Sequence, residues 1–144
     1  MVKILKGNMF KFDVDALVNT VNCVGVMGKG VALQVKLNFP EVFKPYIMAC
    51  KDKTLKIGTV FCYDRGELKQ PRYIINFPTK NHWRNPSKIE YIESGLKSLI
   101  SAIQQLEIQS IAIPPLGCGC GGLGWNIVKP LIEKELESIP NVKV

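Results

Sequence analysis

Between residues 108 and 125 the chain reads Ile-Gln-Ser-Ile-Ala-Ile-Pro-Pro-Leu-Gly-Cys-Gly-Cys-Gly-Gly-Leu-Gly-Trp, and a helical pattern follows at once. Ile108, Ile111, Ala112 and Ile113 form a short apolar run rich in β-branched side chains, the texture of a strand buried on both faces. The side chains then almost disappear. Gly117, Gly119, Gly121, Gly122 and Gly124 leave backbone N–H groups unshielded and allow the positive φ angles that aim successive amides at one anion. A loop of this kind, between a strand's C-terminal end and a helix N-terminus, is where an open α/β sheet holds phosphate groups. A flexible tight connection would use the same glycines, so this loop alone does not decide between the two.

A second loop moves the balance toward binding. Ala16-Leu17-Val18-Asn19-Thr20-Val21 reads as an internal strand with Asn22 at its end, and Cys23-Val24-Gly25-Val26-Met27-Gly28-Lys29-Gly30 then opens a helix from Val31 to Asn38. Pro40 stops that helix and starts another, Glu41 to Lys51. Neither glycine loop is a Walker A, since no Lys-Ser/Thr follows at the required spacing, and neither has the GxGxxG order of a dinucleotide fold.

The rest of the chain supplies the scaffold. Val2 to Leu5 reads as a first strand ending at Gly7-Asn8-Met9, and Asp13 to Asp15 as a turn. Gly58 to Tyr63 and Tyr73 to Phe77 read as strands separated by a turn at Asp64-Arg65-Gly66. From Ser87 to Glu107, Ile89, Ile92, Leu96, Leu99, Ile100, Ile103 and Leu106 recur at helical steps, and Ser87 with Glu90 makes a capping box. A last helix, Trp125 to Ile139, turns Val128, Leu131, Ile132 and Leu136 inward, with Trp125 read as core, and Val142-Lys143-Val144 reads as a short strand. This alternation predicts an α/β fold: a three-layer α/β/α domain with a mixed, largely parallel central sheet. Residues 1–144 are expected to be one domain, with the abrupt end at Val144 that an excised domain would have.

Composition narrows the partners. A formal charge of +7 favours a polyanion such as nucleic acid. No apolar run approaches the ~18 residues of a membrane span, and the N-terminus lacks a signal peptide's apolar core and cleavage site, so a cytoplasmic place and no membrane partner are expected. Five cysteines, odd in number and scattered, do not suggest a disulfide framework. Cys118-Gly-Cys120 lacks the CxxC spacing and the second ligand pair of a zinc site, so no metal and no cofactor is expected.

Chemistry concentrates in Pro78-Thr79-Lys80-Asn81-His82-Trp83-Arg84-Asn85-Pro86, read as a loop between a buried strand and a helix. Each residue has an ordinary alternative. Lys80 would serve equally as a solvated lysine, His82 as a loop hydrogen-bonder, and Trp83 as packing against the following helix or as a stacking platform for a base. Asn22 would end its strand or orient a ligand's hydroxyls.

Gly7-Asn8-Met9, Val18-Asn19-Thr20-Val21-Asn22, Gly25-Val26-Met27-Gly28-Lys29-Gly30-Val31-Ala32, Asn76-Phe77-Pro78-Thr79-Lys80 with His82-Trp83-Arg84, and Ile113-Pro114-Pro115-Leu116-Gly117-Cys118-Gly119 resemble a macrodomain. Within that superfamily they are most similar to the macrodomains of the DarG antitoxins, which oppose DarT DNA ADP-ribosyltransferases. The resemblance runs from the first strand to the last helix, and Pro-Thr-Lys-x-His-Trp-Arg is its specific part. It implies an ADP-ribose cleft at the C-terminal edge of the sheet. Asn8 and Met9 would meet the adenine, in place of the Asp of many macrodomains. Thr20, Val21, Asn22, Val31, Ala32, Leu33, Gln34 and Thr79 would line the ribose and phosphate side, and Gly117, Cys118, Gly119, Cys120 and Gly121 would cradle the diphosphate. His82, Trp83 and Arg84 would meet ADP-ribosylated single-stranded DNA.

The resemblance further implies a DNA ADP-ribosyl glycohydrolase of the lysine-dependent branch. Lys80 would attack the anomeric carbon of the distal ribose, which requires a neutral amine. A protein-directed relative pairs its lysine with an Asp in the second glycine loop, where this chain has Gly121. That departure disfavours a protein-glutamate substrate. The expected partners are ADP-ribose, ADP-ribosylated single-stranded DNA carrying the modification on thymine, and a DarT-type toxin met through a region absent here. A non-catalytic ADP-ribose reader and an ADP-ribosyl-protein hydrolase are the competing readings.

Overall fold

A computed structural model describes residues 2–144. Its sheet has four strands in the order β2-β3-β1-β4. The central strand β1 (Ala16–Asn22) runs parallel to β3 (Tyr73–Lys80) and to β4 (Ile111–Ala112), and β2 (Phe61–Asp64) closes the edge antiparallel to β3. The sheet is mixed and largely parallel, as the alternation of elements predicts. Side chains two residues apart on β1 and β3 share a face. Ala16, Val18, Ile75 and Phe77 pack with Ile92, Leu96, Leu99 and Ile103 of α3 (Ile89–Gln105) and with Val128, Ile132 and Leu136 of α4 (Trp125–Leu136). Leu17, Val21 and Ile74 take the opposite face, against Ala32 and Val35 of α1 (Gly30–Asn38) and Tyr46 and Ala49 of α2 (Phe43–Lys51). Burying both faces explains why β1 and β3 read as apolar runs instead of alternating ones.

Several elements depart from the sequence expectation. Val2 to Leu5 forms no strand; Ile4 and Leu5 are exposed, and the segment's recorded tie to the far end is the Lys3 N–H donating to the Val144 carbonyl at 2.8 Å. The tail at 142–144 contributes one parallel bridge, Ser110 with Lys143, in place of a strand. β4 is only two residues long, because Pro114 and Pro115 have no N–H to extend the ladder. β2 begins at Phe61, three residues later than expected, after a turn at Gly58 with φ of 87°.

α3 starts at Ile89 with Lys88 as an uncapped N-terminal residue, so the Ser87–Glu90 capping box does not form. The extended Lys88 and the burial of Ser87 carry the serine side chain away from the helix end. Trp125, read as core, is 38% exposed, because it opens α4 beside a solvent-facing loop. α2 starts at Phe43, preceded by a single 3-10 turn at Pro40–Val42. Among the described residues no helix is long and apolar enough to cross a membrane.

The departure that matters for function is in β3. The sequence puts Pro78, Thr79 and Lys80 in a loop, whereas the strand continues through all three. Val21 pairs with Pro78, and then Asn22 pairs with Lys80, so Thr79 is an extra residue in a bulge. Proline cannot donate to the ladder, and the bulge absorbs that defect. Lys80 is therefore held at a strand end beside Asn22.

Candidate functional site

The ends of β1 and β3 open into a cleft of about 980 Å³ between the loop at residues 23–30 and the loop at residues 117–122. The first loop is built on one side chain. Asn22 Oδ1 accepts from the N–H groups of Val24 at 3.1 Å and Val26 at 3.3 Å, while its Nδ2 donates to the Val26 carbonyl at 2.8 Å. The Tyr46 hydroxyl lies 2.8 Å from the Asn22 carbonyl oxygen and 2.9 Å from Oδ1. Tyr46 is fully buried, and burial pushes its hydroxyl pKa far up, so it stays a donor. The Asn22 amide thus organises the loop that borders the cleft. Burial also raises the neighbouring Cys23 thiol to about 11 and that of Cys50 in the same direction. The Cys23 N–H donates to the Asn81 carbonyl at 3.0 Å, tying this loop to the chain leaving β3.

The second loop uses its glycines conformationally. Gly117 and Gly119 have φ of 72° and 63°, in the left-handed region. A single 3-10 turn, Gly119–Gly121, follows. The N–H groups of Gly119 and Cys120 at its start have no backbone acceptor among the described residues and are free to meet an anion. The loop is anchored from behind by the Leu123 N–H on the Gly117 carbonyl and the Ser87 N–H on the Gly121 carbonyl, both at 2.9 Å.

Lys80 projects from the end of β3, its Nζ donating to the Trp83 carbonyl at 3.3 Å. Trp83 is 46% exposed, with the Arg84 guanidinium 4.6 Å from its ring centroid and the His82 ring centroid at 5.1 Å. The Arg84 N–H donates to His82 Nδ1 at 3.1 Å, which turns that imidazole toward its own loop. Lys29, Lys80 and Arg84 all line the cleft, and among the described residues lining it there is no Asp or Glu. Three cations without a carboxylate give the cleft a positive field suited to a polyphosphate.

Most of the expected site residues meet here: Thr20, Val21 and Asn22, then Val31 and Ala32, Thr79 and Lys80, Trp83 and Arg84, and Gly117 through Gly121. Asn8, Met9, Leu33, Gln34 and His82 do not line the cleft. Asn8 instead caps the turn Met9–Lys11, its Oδ1 accepting from the Phe10 N–H at 3.0 Å. Leu33 and Gln34 sit past the first turn of α1. Sequence reasoning passed over Lys29, whose signal was a lone charge between two glycines, and Tyr46, whose signal was a polar-tipped aromatic on the inward side of a helix. Among the described residues no cluster of His, Cys, Asp or Glu is arranged to hold a metal ion.

The family model described as "Macro domain" matches residues 18–132, a span that includes both loops, the strand bearing Lys80 and most of α4. The chain belongs to the macrodomain family. Within that family it groups with the DarG macrodomains. The macrodomain is 56% identical over its whole length to a Thermus aquaticus protein named DNA ADP-ribosyl glycohydrolase and covers 40% of that protein. The solved macrodomain of Thermus aquaticus DarG superposes with a TM-score of 0.97, covering 100% of this chain and 95% of that one. Thermosipho africanus DarTG in complex with ADP-ribose superposes with a TM-score of 0.88 at 41% identity, covering 95% of this chain and 39% of that one.

Proposed function

We propose that this macrodomain binds ADP-ribose in the cleft between its glycine loops and hydrolyses mono-ADP-ribose from DNA, acting in the cytoplasm against a DarT-type transferase. The observation that carries the reading is Lys80: a lysine at the end of a bulged strand, opening into a cleft lined by three cations and no carboxylate. The relative at 56% identity is named for this activity, and the Thermosipho africanus relative is in complex with ADP-ribose, which supports the ligand and the reaction class.

The free N–H groups of Gly119 and Cys120 would take the diphosphate, leaving the distal ribose toward Lys80. In its deprotonated form the Lys80 amine would attack the anomeric carbon. A C–N bond forms, the bond to the base breaks, and the base leaves with the electron pair and gains a proton. Loss of the amine proton with opening of the sugar ring gives an imine, which water hydrolyses to ADP-ribose and free lysine. A thymine-linked substrate is the assignment that the resemblance favours, and Gly121 supplies no carboxylate for the protein-glutamate alternative.

A binding-only reading has one observation in its favour: Lys80 Nζ is engaged as a donor to the Trp83 carbonyl. The test offers the purified protein an ADP-ribosylated oligonucleotide and an ADP-ribosylated glutamyl protein side by side. Release of ADP-ribose from the oligonucleotide alone is expected. Binding of ADP-ribose without release from either carrier would leave a reader, and release from the protein would reassign the substrate.

A further inference from the structure

The segment that leaves β3 carries a second aromatic beyond Trp83. Tyr91, in the first turn of α3, is half-buried, and its hydroxyl accepts from Asn81 Nδ2 at 3.4 Å. That bond ties the ring to the strand end where Lys80 stands: Asn81 follows Lys80 in the chain, and its carbonyl holds the Cys23 N–H of the first glycine loop. Trp83 is two residues further on, a span of at most about 7 Å along the chain. Both rings therefore border the same turn, Trp83 lining the cleft and Tyr91 standing outside it on the helix.

Each ring is paired with a cation. The Arg84 guanidinium lies 4.6 Å from the Trp83 ring centroid, and Lys88 Nζ lies 5.9 Å from that of Tyr91. Among the described residues neither cation is in an ion pair, so both charges are open to a polyanion. Lys88 and Tyr91 are three residues apart and meet on one face, which continues through Ser94 and Gly95. Glu90 and Glu93 stand one and two residues from Tyr91, off that face. A ring on which any base can stack, beside a cation that meets the backbone phosphate, is the unit from which single-strand surfaces are built, and two such units lie between residues 83 and 91.

We infer that Tyr91 and Lys88 form a second contact surface for the DNA strand: beyond Trp83, a nucleotide flanking the modified one stacks on Tyr91 while Lys88 meets its phosphate. The inference rests on the proposed DNA reading. Because Tyr91 and Lys88 do not line the cleft, they touch no reacting atom and act on capture of the strand, not on bond cleavage. The surface makes the length of the carrier matter, since a single modified nucleotide fills the cleft without reaching the helix.

Release of ADP-ribose is followed on an ADP-ribosylated single strand and on the ADP-ribosylated mononucleotide that nuclease digestion makes from it. The proteins are the wild type, Tyr91→Leu, Tyr91→Phe and Lys88→Ala, each with its melting temperature. The wild type should favour the strand in kcat/KM. Tyr91→Leu should lower kcat/KM on the strand about tenfold, through KM, and leave the mononucleotide unchanged. Tyr91→Phe keeps the ring and should keep the preference; a loss as large as that of Tyr91→Leu overturns the inference, because the hydroxyl and not the ring would then matter. Lys88→Ala should make the log–log salt slope on the strand shallower by about 0.7, and an unchanged slope overturns the inference. Equal losses on both substrates in a Tyr91→Leu protein that melts like the wild type overturn it too, since Tyr91 would then be supporting Asn81 and Lys80. Should Tyr91→Leu melt well below the wild type, Lys88→Ala decides alone. A wild type that processes strand and mononucleotide equally overturns the inference and leaves the parent reading in place, whereas release from neither removes both.

Discussion

Asn19 on β1 and Asn76 on β3 stand opposite each other in the parallel ladder, fully buried, with Asn19 Nδ2 donating to Asn76 Oδ1 at 2.9 Å. The pair interrupts the apolar face that β1 and β3 turn toward α1 and α2, between Leu17 and Val21 on one strand and beside Ile74 on the other. A slip of one residue between the strands would separate the two amides and set Asn19 against Ile75 or Phe77, so the pair opposes other registers. Register is what places Asn22 beside Lys80 three residues further along β1. Asn76→Ala should destabilise the domain by about 2–4 kcal/mol, since it leaves Asn19 buried with no partner. The double replacement by apolar residues should cost less than the sum of the singles, and denaturant unfolding of all four proteins measures the coupling.

Lys80→Ala should keep ADP-ribose binding within about tenfold while losing nearly all release from an ADP-ribosylated oligonucleotide, because in the proposed complex the loop N–H groups and not the lysine would hold the diphosphate. Wild-type turnover by the alanine variant would make Lys80 a bystander. Reduction with borohydride during turnover should trap a covalent adduct that peptide mapping locates at Lys80.

The half-buried thiols of Cys23 and Cys62 and the buried phenol of Tyr46 set a limit on stability at high pH. Cys23 and Cys62 are raised from 9.0 to about 11, chiefly by burial. In the unfolded chain they release protons near 9.0, whereas the folded protein holds them until about 11. The unfolded state therefore binds fewer protons in that window, and stability is full below pH 9 and falls as pH rises through it. Tyr46, shifted upward by burial, extends the decline beyond its ordinary value. Melts between pH 8 and pH 10.5 should show the loss, and Cys62→Ala should flatten it. The same thiols should resist iodoacetamide at pH 8, while the exposed Cys120 reacts first and is protected by ADP-ribose.

How legible these features are in the sequence depends on whether they are local. Glycine loops announce themselves because an absent side chain is a local fact, and the stripe of α3 does so because periodicity is local too. The bulge at Thr79 is not local: it follows from Pro78 meeting Val21 in a parallel ladder, a pairing of residues 57 positions apart. Asn22 was legible as a polar group at a strand end, but its service to the first loop depends on Tyr46 arriving from α2. Val2 to Leu5 shows the reverse failure, since β propensity without a neighbour to pair with leaves Ile4 and Leu5 in solvent. Ser87 matched a capping rule, and the burial of its side chain behind the second glycine loop overrode that rule.

Nucleic acid as the carrier of the modification is tested at the cleft mouth, where Trp83 and Arg84 stack on each other beside Lys80. The net charge of +7 biases the whole surface toward a polyanion, but Arg84 and Lys29 are the cations at the cleft besides Lys80, so the strand that bears the modification should run across them. Neutralising phosphates there makes kcat/KM on an ADP-ribosylated single strand fall with salt, at about −0.7 in log–log slope per phosphate when binding equilibrates before chemistry. Free ADP-ribose, with its own diphosphate, is the control for salt effects inside the cleft. Replacing Trp83 and Arg84 together by alanine should raise KM for the oligonucleotide and make the slope shallower by about one phosphate, while ADP-ribose, which loses only the share of Arg84 in the cleft's positive field, is weakened less than the oligonucleotide. Equal salt slopes and equal KM in wild type and variant would mean that this loop does not read the strand, and that the basic charge is a solvated face.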